Sequence, residues 1–389
     1  MNNATIRRRI YLGSELVGSV DRFPCSIEFE DDDDERPVSA SDLGSAARLA
    51  RTAQRGVLDY ICVDDTLAGN PPFSGRRRRG LDAVRLATRL AGATEGINLI
   101  PAVRSSRVEP SSLLEALVGL EIASEGRHGW ELELADHPSP MAHSAELLSA
   151  VVHDTWSNDE PRTRLAAAAR AARRQRLAAV GSADGASGSA RSGSGPPRSA
   201  SGSLGAGASP RRRPIMVIRA DDPQAAALAA GRADVARINA ASLDDAAAKR
   251  ADLQAAAAGA GRAPEAIKVL VDLTVTLADE PSHAEARKDL AEAIIGRRLG
   301  GDHVRYVGTP AGLAEHCVEW TGRGACDGFT FLPTSLPVDL IMVVDCVTPA
   351  LAAASHFPAA YGRGARHSSA PRAVPAPRRR LAAPVGAAP

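Results

Sequence analysis

VGTPAGLAEHCVEWTGRGACDGFTFLPTSLPVDLIMVVDCVTPAL, residues Val307 to Leu351, reads as a helix, a strand and a second helix in close succession. Thr309 suits a helix N-cap, and Pro310 suits the first helical position, where a missing N–H leaves nothing unsatisfied. Leu313, Cys317 and Trp320 recur at helical spacing, and Gly322 and Gly324 stop the helix. Gly328 to Leu332 is a short apolar strand, and Pro337 to Leu351 is an amphipathic helix. An apolar strand flanked by helices is the repeating unit of a parallel sheet covered on its outer face.

Working outward, the same rhythm recurs. The sequence predicts strands over Cys25 to Phe29, Leu58 to Val63, Ile97 to Val103, Trp130 to Leu134, Ile215 to Ile218, Val235 to Ile238 and Lys268 to Leu277. It predicts helices over Leu43 to Gly56, Asp82 to Ala91, Pro110 to Ala123, Ser144 to Trp156, Pro223 to Ala230, Ser242 to Gly259 and His283 to Arg298. With the opening segment this makes eight strands, nearly all followed by helices. Eight such units in 389 residues predict a closed (β/α)8 TIM barrel, an α/β fold. An open doubly wound sheet is the alternative, and the lack of a GxGxxG turn after the first strand counts against it.

The rhythm breaks once. Residues 161–213 form a low-complexity Arg/Gly/Ser/Ala insertion between helix 4 and strand 5, with eleven Arg and one acid, Asp184. Gly181 to Pro210 has almost no large apolar side chain to offset its ordering entropy, so disorder is expected there. The expected layout is an N-terminal arm (1–22), a first half-barrel (23–160), the insertion, a second half-barrel (214–360) and a disordered tail (361–389).

Lys plus Arg (47) nearly cancels Asp plus Glu (46), leaving a net charge of +1, which argues against a nucleic-acid binder. Hydrophobic residues at 44% fill a sizeable core, and aromatics at 3% leave most of it to Ala, Leu and Val. The five cysteines are scattered, odd in number and form no CxxC pair, which points to buried thiols in a reducing cytoplasm. The N-terminus has no apolar run of signal-peptide length, and no stretch approaches a membrane span. A cytoplasmic protein that contacts neither membrane nor nucleic acid is expected.

In a barrel of this kind chemistry sits where the strands end. The positions are Asp64, Asp65 and Thr66 after strand two, then Arg104, Ser105, Ser106 and Arg107 after strand three. Glu131 and Glu133 lie on strand four, with Asp136 and His137 beyond it. Arg219, Asp221 and Asp222 follow strand five, Asn239 strand six, and Pro333, Thr334 and Ser335 strand eight. Glu131 and Glu133 share one face of their strand. Facing inward they would repel and raise one pKa; facing outward they would be a solvated patch. Asp222 before Pro223 suits a helix cap, and two carboxylates there would repel a phosphate. Ser105 and Ser106 beside Arg104 suit either an anion or an ordinary loop. No metal-ligand spacing is present, and no residue declares itself catalytic.

Taken together, LDYICVDDTLAG (58–69), ATEGINLIPAV (93–103), EGRHGWELELAD (125–136), LLSAVVHDTW (147–156), RRPIMVIRADDP (212–223), GRADVARINAASLDDA (231–246), GRAPEAIKVLVDLTVTLAD (261–279) and the opening segment resemble the luciferase-like flavin-dependent monooxygenases. Within that family they look like the nitrilotriacetate and sulfone monooxygenase branch. The resemblance implies a barrel that uses reduced FMN from a separate flavin reductase, with O2, to oxygenate a small organic substrate. It places Asp64 near the flavin ring and Ser105 and Ser106 along the cofactor. It sets Glu131 where the family has Asn, Ala142 where a Tyr is expected, and Asp221 and Asp222 at the Gly-Ser phosphate element. Two alternatives stay open: hydride transfer with a deazaflavin, and a degenerate barrel serving as a binding or scaffold subunit. A homodimer is also left open.

Overall fold

The computed structural model describes residues 9–16, 40–64, 81–105, 108–134, 142–157, 213–296, 298 and 304–361. The chain runs β1 (Tyr11–Leu16), α1 (Ala40–Arg55), β2 (Tyr60–Val63), α2 (Asp82–Leu90), β3 (Asn98–Arg104), α3 (Pro110–Ser124), β4 (Gly129–Glu133) and α4 (Ala142–Ser157). It continues through β5 (Ile215–Arg219), α5 (Pro223–Arg232), β6 (Val235–Ile238), α6 (Leu243–Gly259), β7 (Lys268–Leu277) and α7 (Pro281–Ile295). The last elements are β8 (Arg305–Gly308), α8 (Pro310–Gly322), β9 (Gly328–Pro333), α9 (Val338–Met342) and α10 (Thr348–Ala353), the final two joined by a wide π turn over Val343–Val347.

Strands β1 to β7 pair in sequence order, β7 pairs with β9, and β9 pairs back with β1, all in parallel. That closes an eight-stranded TIM barrel with helices outside. The predicted first strand, Cys25 to Phe29, lies outside the described residues. Its place in the ring is taken by Tyr11–Leu16, within the stretch expected to be an arm. Leu12 and Leu16 are fully buried, so this short segment supplies the apolar alternation a barrel strand needs. Strand β8 is an addition to the expected set. It pairs with the far end of β7 (Thr274–Leu277), on the same side as β6, and lengthens the wall there. The low-complexity segment between α4 and β5, and the tail beyond Tyr361, lie outside the described residues.

Two separate cores follow from strand alternation. On β7, Val269, Val271, Leu273, Val275 and Leu277 point outward and pack under the helices. Leu270 joins Tyr60, Cys62, Ile100, Val217 and Val235 in a small core inside the barrel. Burying one such aliphatic side chain contributes roughly 1.5–3 kcal/mol. The inner core is tight enough to demand glycine. A Cβ on Gly13 would fall 2.2 Å from the Tyr60 ring, and one on Gly328 would fall 1.9 Å from the Tyr11 carbonyl oxygen. The Tyr60 and Thr330 hydroxyls meet 2.6 Å apart in this layer.

Thr309 caps α8 as expected, its Oγ1 accepting from the Gly312 N–H at 3.3 Å. Ser242 caps α6 in the same way through the Asp245 N–H. Cys62, Cys317 and Cys326 are buried thiols, but Cys346, expected in an apolar environment, is exposed on the π turn. Among the described residues no helix is long and apolar enough to cross a membrane.

Candidate functional site

Inside the barrel, above the apolar layer, the inward positions turn charged. Arg237 of β6 is fully buried (0% exposed) and aims all of its guanidinium nitrogens at acids. Nε and Nη2 donate to the two oxygens of Asp272 on β7, at 2.7 and 2.8 Å. Nη1 donates to both oxygens of Glu131 on β4, at 2.8 and 3.0 Å. Nη2 also donates to Glu15 on β1 at 2.9 Å, and the Cys62 sulfur lies 3.8 Å from Nη1. Paired, hydrogen-bonded burial of this kind is what makes an interior charge tolerable.

Arg219, the last residue of β5, sits above this cluster with its side chain 31% exposed. Its guanidinium nitrogens lie 3.6 Å from Glu15 and Glu131 and 3.7 Å from Asp272, attracted to the acids but beyond hydrogen-bond reach. Its Nε is buried with no hydrogen-bond partner among the described residues. Arg237 and burial both oppose the Arg219 charge, yet Glu131, Glu15 and Asp272 outweigh them and raise its pKa. For Arg237 burial is the chief opposing effect, again outweighed by Asp272, Glu131 and Glu15. Both arginines therefore stay cationic. Among the described residues, three carboxyl groups face these two guanidinium groups.

The inward orientation left open for Glu131 and Glu133 is the one realised. Glu131 is neutralised by Arg237 in the interior. Glu133 lies nearer the rim, 28% exposed, and accepts from Arg104 Nε at 3.3 Å. Burial and the Glu131 charge raise its pKa, against the pull of Arg104 and Arg219; Asp64 adds a smaller upward push. Asp64, Arg104, Glu131, Glu133 and Arg219 thus converge on one rim, as expected of strand-end positions. Burial, then the Glu131 charge, pushes the Cys62 thiol well up, so it is protonated and no thiolate nucleophile stands here.

Ser105 follows β3 at 3% exposure, and its hydroxyl has no hydrogen-bond partner among the described residues. Asp65, Thr66, Ser106, Arg107, Asp136 and His137 lie outside the described residues, as does the side chain at Ala142. The backbone carbonyl of Asn239 accepts from Lys249 Nζ at 2.8 Å, and the Thr334 and Thr276 hydroxyls meet at 2.8 Å. Asp222 is a helix cap: its carboxylate accepts from the Gln224 and Ala225 N–H groups at 2.8 Å. Asp221 is exposed beside it. Among the described residues no group of three or more His, Cys, Asp and Glu side chains is arranged to hold a metal.

Glu15, Arg237 and Asp272 were not singled out from sequence. The signal was present: each is a charge set among buried neighbours of its strand (SEL, VARI, VLVDL). Two acids and one base so placed in three strands are most economically explained by mutual contact.

A closed parallel barrel with polar groups gathered at the strand ends defines a (β/α)8 enzyme scaffold. The profile of the luciferase-like monooxygenases matches residues 29–325, and the chain belongs to that family. It is similar to nitrilotriacetate monooxygenase component A of Aminobacter aminovorans, at 24% identity over 81% of this chain and 87% of that one. Among solved structures it resembles the EDTA monooxygenase EmoA of Chelativorans sp. BNC1 (TM-score 0.68, 19% identity, 94% of this chain and 100% of that one). It also resembles an F420-dependent secondary alcohol dehydrogenase (TM-score 0.55, 13% identity, 88% and 99%). Flavin-dependent oxidoreduction is the class of chemistry this family supports.

Set against a flavin, the mouth is two-sided. Ser105 Oγ and Arg219 Nε, buried and without hydrogen-bond partners among the described residues, suit the polar edge of a flavin ring. The phosphate of FMN does not fit the N-terminus of α5, whose first N–H groups are already held by Asp222.

Proposed function

We propose that this chain is the oxygenating component of a two-component flavin-dependent monooxygenase, acting with O2 on a small organic substrate. A separate flavin reductase supplies the reduced cofactor, which when bound is the reductant for O2. The observation that supports this reading is the pair of buried polar groups at the barrel mouth, Ser105 Oγ and Arg219 Nε, which have no hydrogen-bond partner among the described residues and suit the polar edge of a flavin ring. The designation of the Aminobacter relative as component A supports a second component here as well. The test is oxygen uptake and product formation with NADH and a flavin reductase, compared with reductase alone.

A deazaflavin-dependent hydride transfer is the second reading, and the resemblance to the F420-dependent dehydrogenase favours it. Reduced deazaflavin that is oxidised by substrate without O2 would replace the first reading. The self-capped α5 favours a third, a degenerate binding or scaffold barrel, which predicts binding of neither cofactor. Whether Asp64, Ser106, Glu131 and Asp221 touch the cofactor belongs to this proposal, and their substitution in the same assay tests each.

A further inference from the structure

Arg219 on β5 and Arg237 on β6 are register partners on neighbouring parallel strands, so both side chains leave the same face of the sheet, into the barrel. Like charges set side by side repel, and here the same three acids offset both. Arg219 Nη2 lies 3.6 Å from Glu15 Oε1 and from Glu131 Oε1, and its Nε lies 3.7 Å from Asp272 Oδ2. Two of those three oxygens are already taken. Glu131 Oε1 accepts from Arg237 Nη1 at 3.0 Å, and Asp272 Oδ2 accepts from Arg237 Nη2 at 2.8 Å. The third carboxylate, Glu15, accepts from Arg237 Nη2 through its other oxygen at 2.9 Å.

Arg237 therefore makes five hydrogen bonds of 2.7 to 3.0 Å to the three acids. Arg219 stops beyond hydrogen-bond reach of all three. The Arg237 charge is also the largest influence opposing the charge of Arg219. An arginine present only to neutralise the acids would close on them, as Arg237 does. Arg219 instead stays 31% exposed at the strand end, with its Nε buried and unpartnered among the described residues. A buried donor in that state is costly until a ligand completes it.

We propose that Arg237 is a positioning residue: by occupying Glu15, Glu131 and Asp272 it keeps the Arg219 guanidinium from collapsing onto them and available to the ligand of the mouth. The planar guanidinium fork of Arg219 suits a ligand edge with two adjacent acceptors. The proposal rests on the flavin reading above, in which that edge is the polar side of the ring. Lysine at position 237 separates charge from hydrogen bonding. It keeps the cation but brings three donors where Arg237 makes five contacts. In Arg237→Lys an acid oxygen is released, Arg219 closes on it, and the ligand loses its donor.

The test is a double-mutant cycle on the full chain: wild type, R219M, R237K and R219M/R237K, each titrated anaerobically with reduced FMN and reduced riboflavin, with thermal melts of all four. R219M should bind flavin about tenfold or more weakly, since it loses a hydrogen bond from a charged group. R237K should lose a comparable factor, and the double variant should lose no more than R219M alone. Single losses that multiply in the double variant would mean that Arg237 acts through the fold only, and overturn the proposal. Wild-type affinity in either single variant overturns it as well. Glu15→Gln carries the test where Arg237→Lys melts too low to titrate. It removes one charge competing for Arg219, so flavin should bind no more weakly than to wild type, and a loss of about tenfold would overturn the proposal. Absence of saturable binding of either flavin by the wild type overturns the flavin reading and the proposal with it. Every other contrary result requires a wild type that binds, and so overturns the positioning role alone.

Discussion

Arg237 on β6 donates through Nη1 to both carboxylate oxygens of Glu131 on β4, at 2.8 and 3.0 Å, reaching past the intervening β5 inside the barrel. The contact ties non-adjacent strands and fixes which way the charged layer is laid. Replacing Arg237 by Met leaves Glu131, Asp272 and Glu15 buried together without their shared cation. The expected cost is about 3–5 kcal/mol. Adding Glu131→Gln and Asp272→Asn to Arg237→Met should recover part of it, because uncharged amides need no counter-ion. Urea midpoints of the three proteins check this, and a loss under about 1 kcal/mol for Arg237→Met would show that the cluster does not hold as described.

The rim carboxylate Glu133 gives a pH signature. Burial and the Glu131 charge raise its pKa above the unfolded value. The folded state therefore binds its proton more tightly than the unfolded chain does, and stability falls as pH rises through the two pKa values. Glu133→Gln removes that loss. The variant should match the parent near pH 4, around the ordinary Glu value of about 4.3, and exceed it in Tm at pH 7 to 8. A variant less stable than the parent at pH 8 would mean that the Arg104 pairing outweighs burial.

Much of the scaffold was legible because it rests on period and punctuation. Thr309-Pro310 marks a helix start through backbone chemistry alone, and β7 displays its alternation over ten residues. Strand β1 was missed because YLGSEL is short, follows an Arg run, and contains Gly13, Ser14 and Glu15, residues that rarely favour a strand by themselves. Their reasons are tertiary: Gly13 makes room for Tyr60, and Glu15 meets Arg237. The site divides in the same way. Strand-end positions such as Asp64, Ser105 and Arg219 follow from the fold, and the Asp222 cap from local sequence. The Arg237 cluster depends on registers across five strands, which no local pattern encodes.

Gly13 offers a direct check of the inner core. A methyl group there meets the Tyr60 ring at 2.2 Å, with Tyr60 itself anchored to Thr330. Gly13→Ala should cost about 1–3 kcal/mol by overpacking. Pairing it with Tyr60→Leu should relieve part of the strain, visible as a non-additive denaturation midpoint. Strict additivity would place the two residues out of contact.

Asp222 has a stability role separable from any ligand. Asp222→Ala removes the acceptor for the Gln224 and Ala225 N–H groups and should cost about 1 kcal/mol, whereas Asp222→Ser should stay within a few tenths. Thermal melts distinguish them; equal destabilisation by both would mean that charge rather than capping matters.

At the flavin end, Ser105→Ala removes one neutral hydrogen-bonding group and should weaken flavin binding about two- to tenfold, with the melting temperature little changed. A Kd within error of the parent would remove Ser105 from the cofactor contacts.

The central claim is that this barrel mouth holds a reduced flavin. Its most direct test is an anaerobic titration of the purified full chain with reduced riboflavin and reduced FMN, followed by the flavin's absorbance and emission. Saturable one-to-one binding in the micromolar range or tighter is predicted for at least one of the two. Absence of saturable binding for both would contradict the claim.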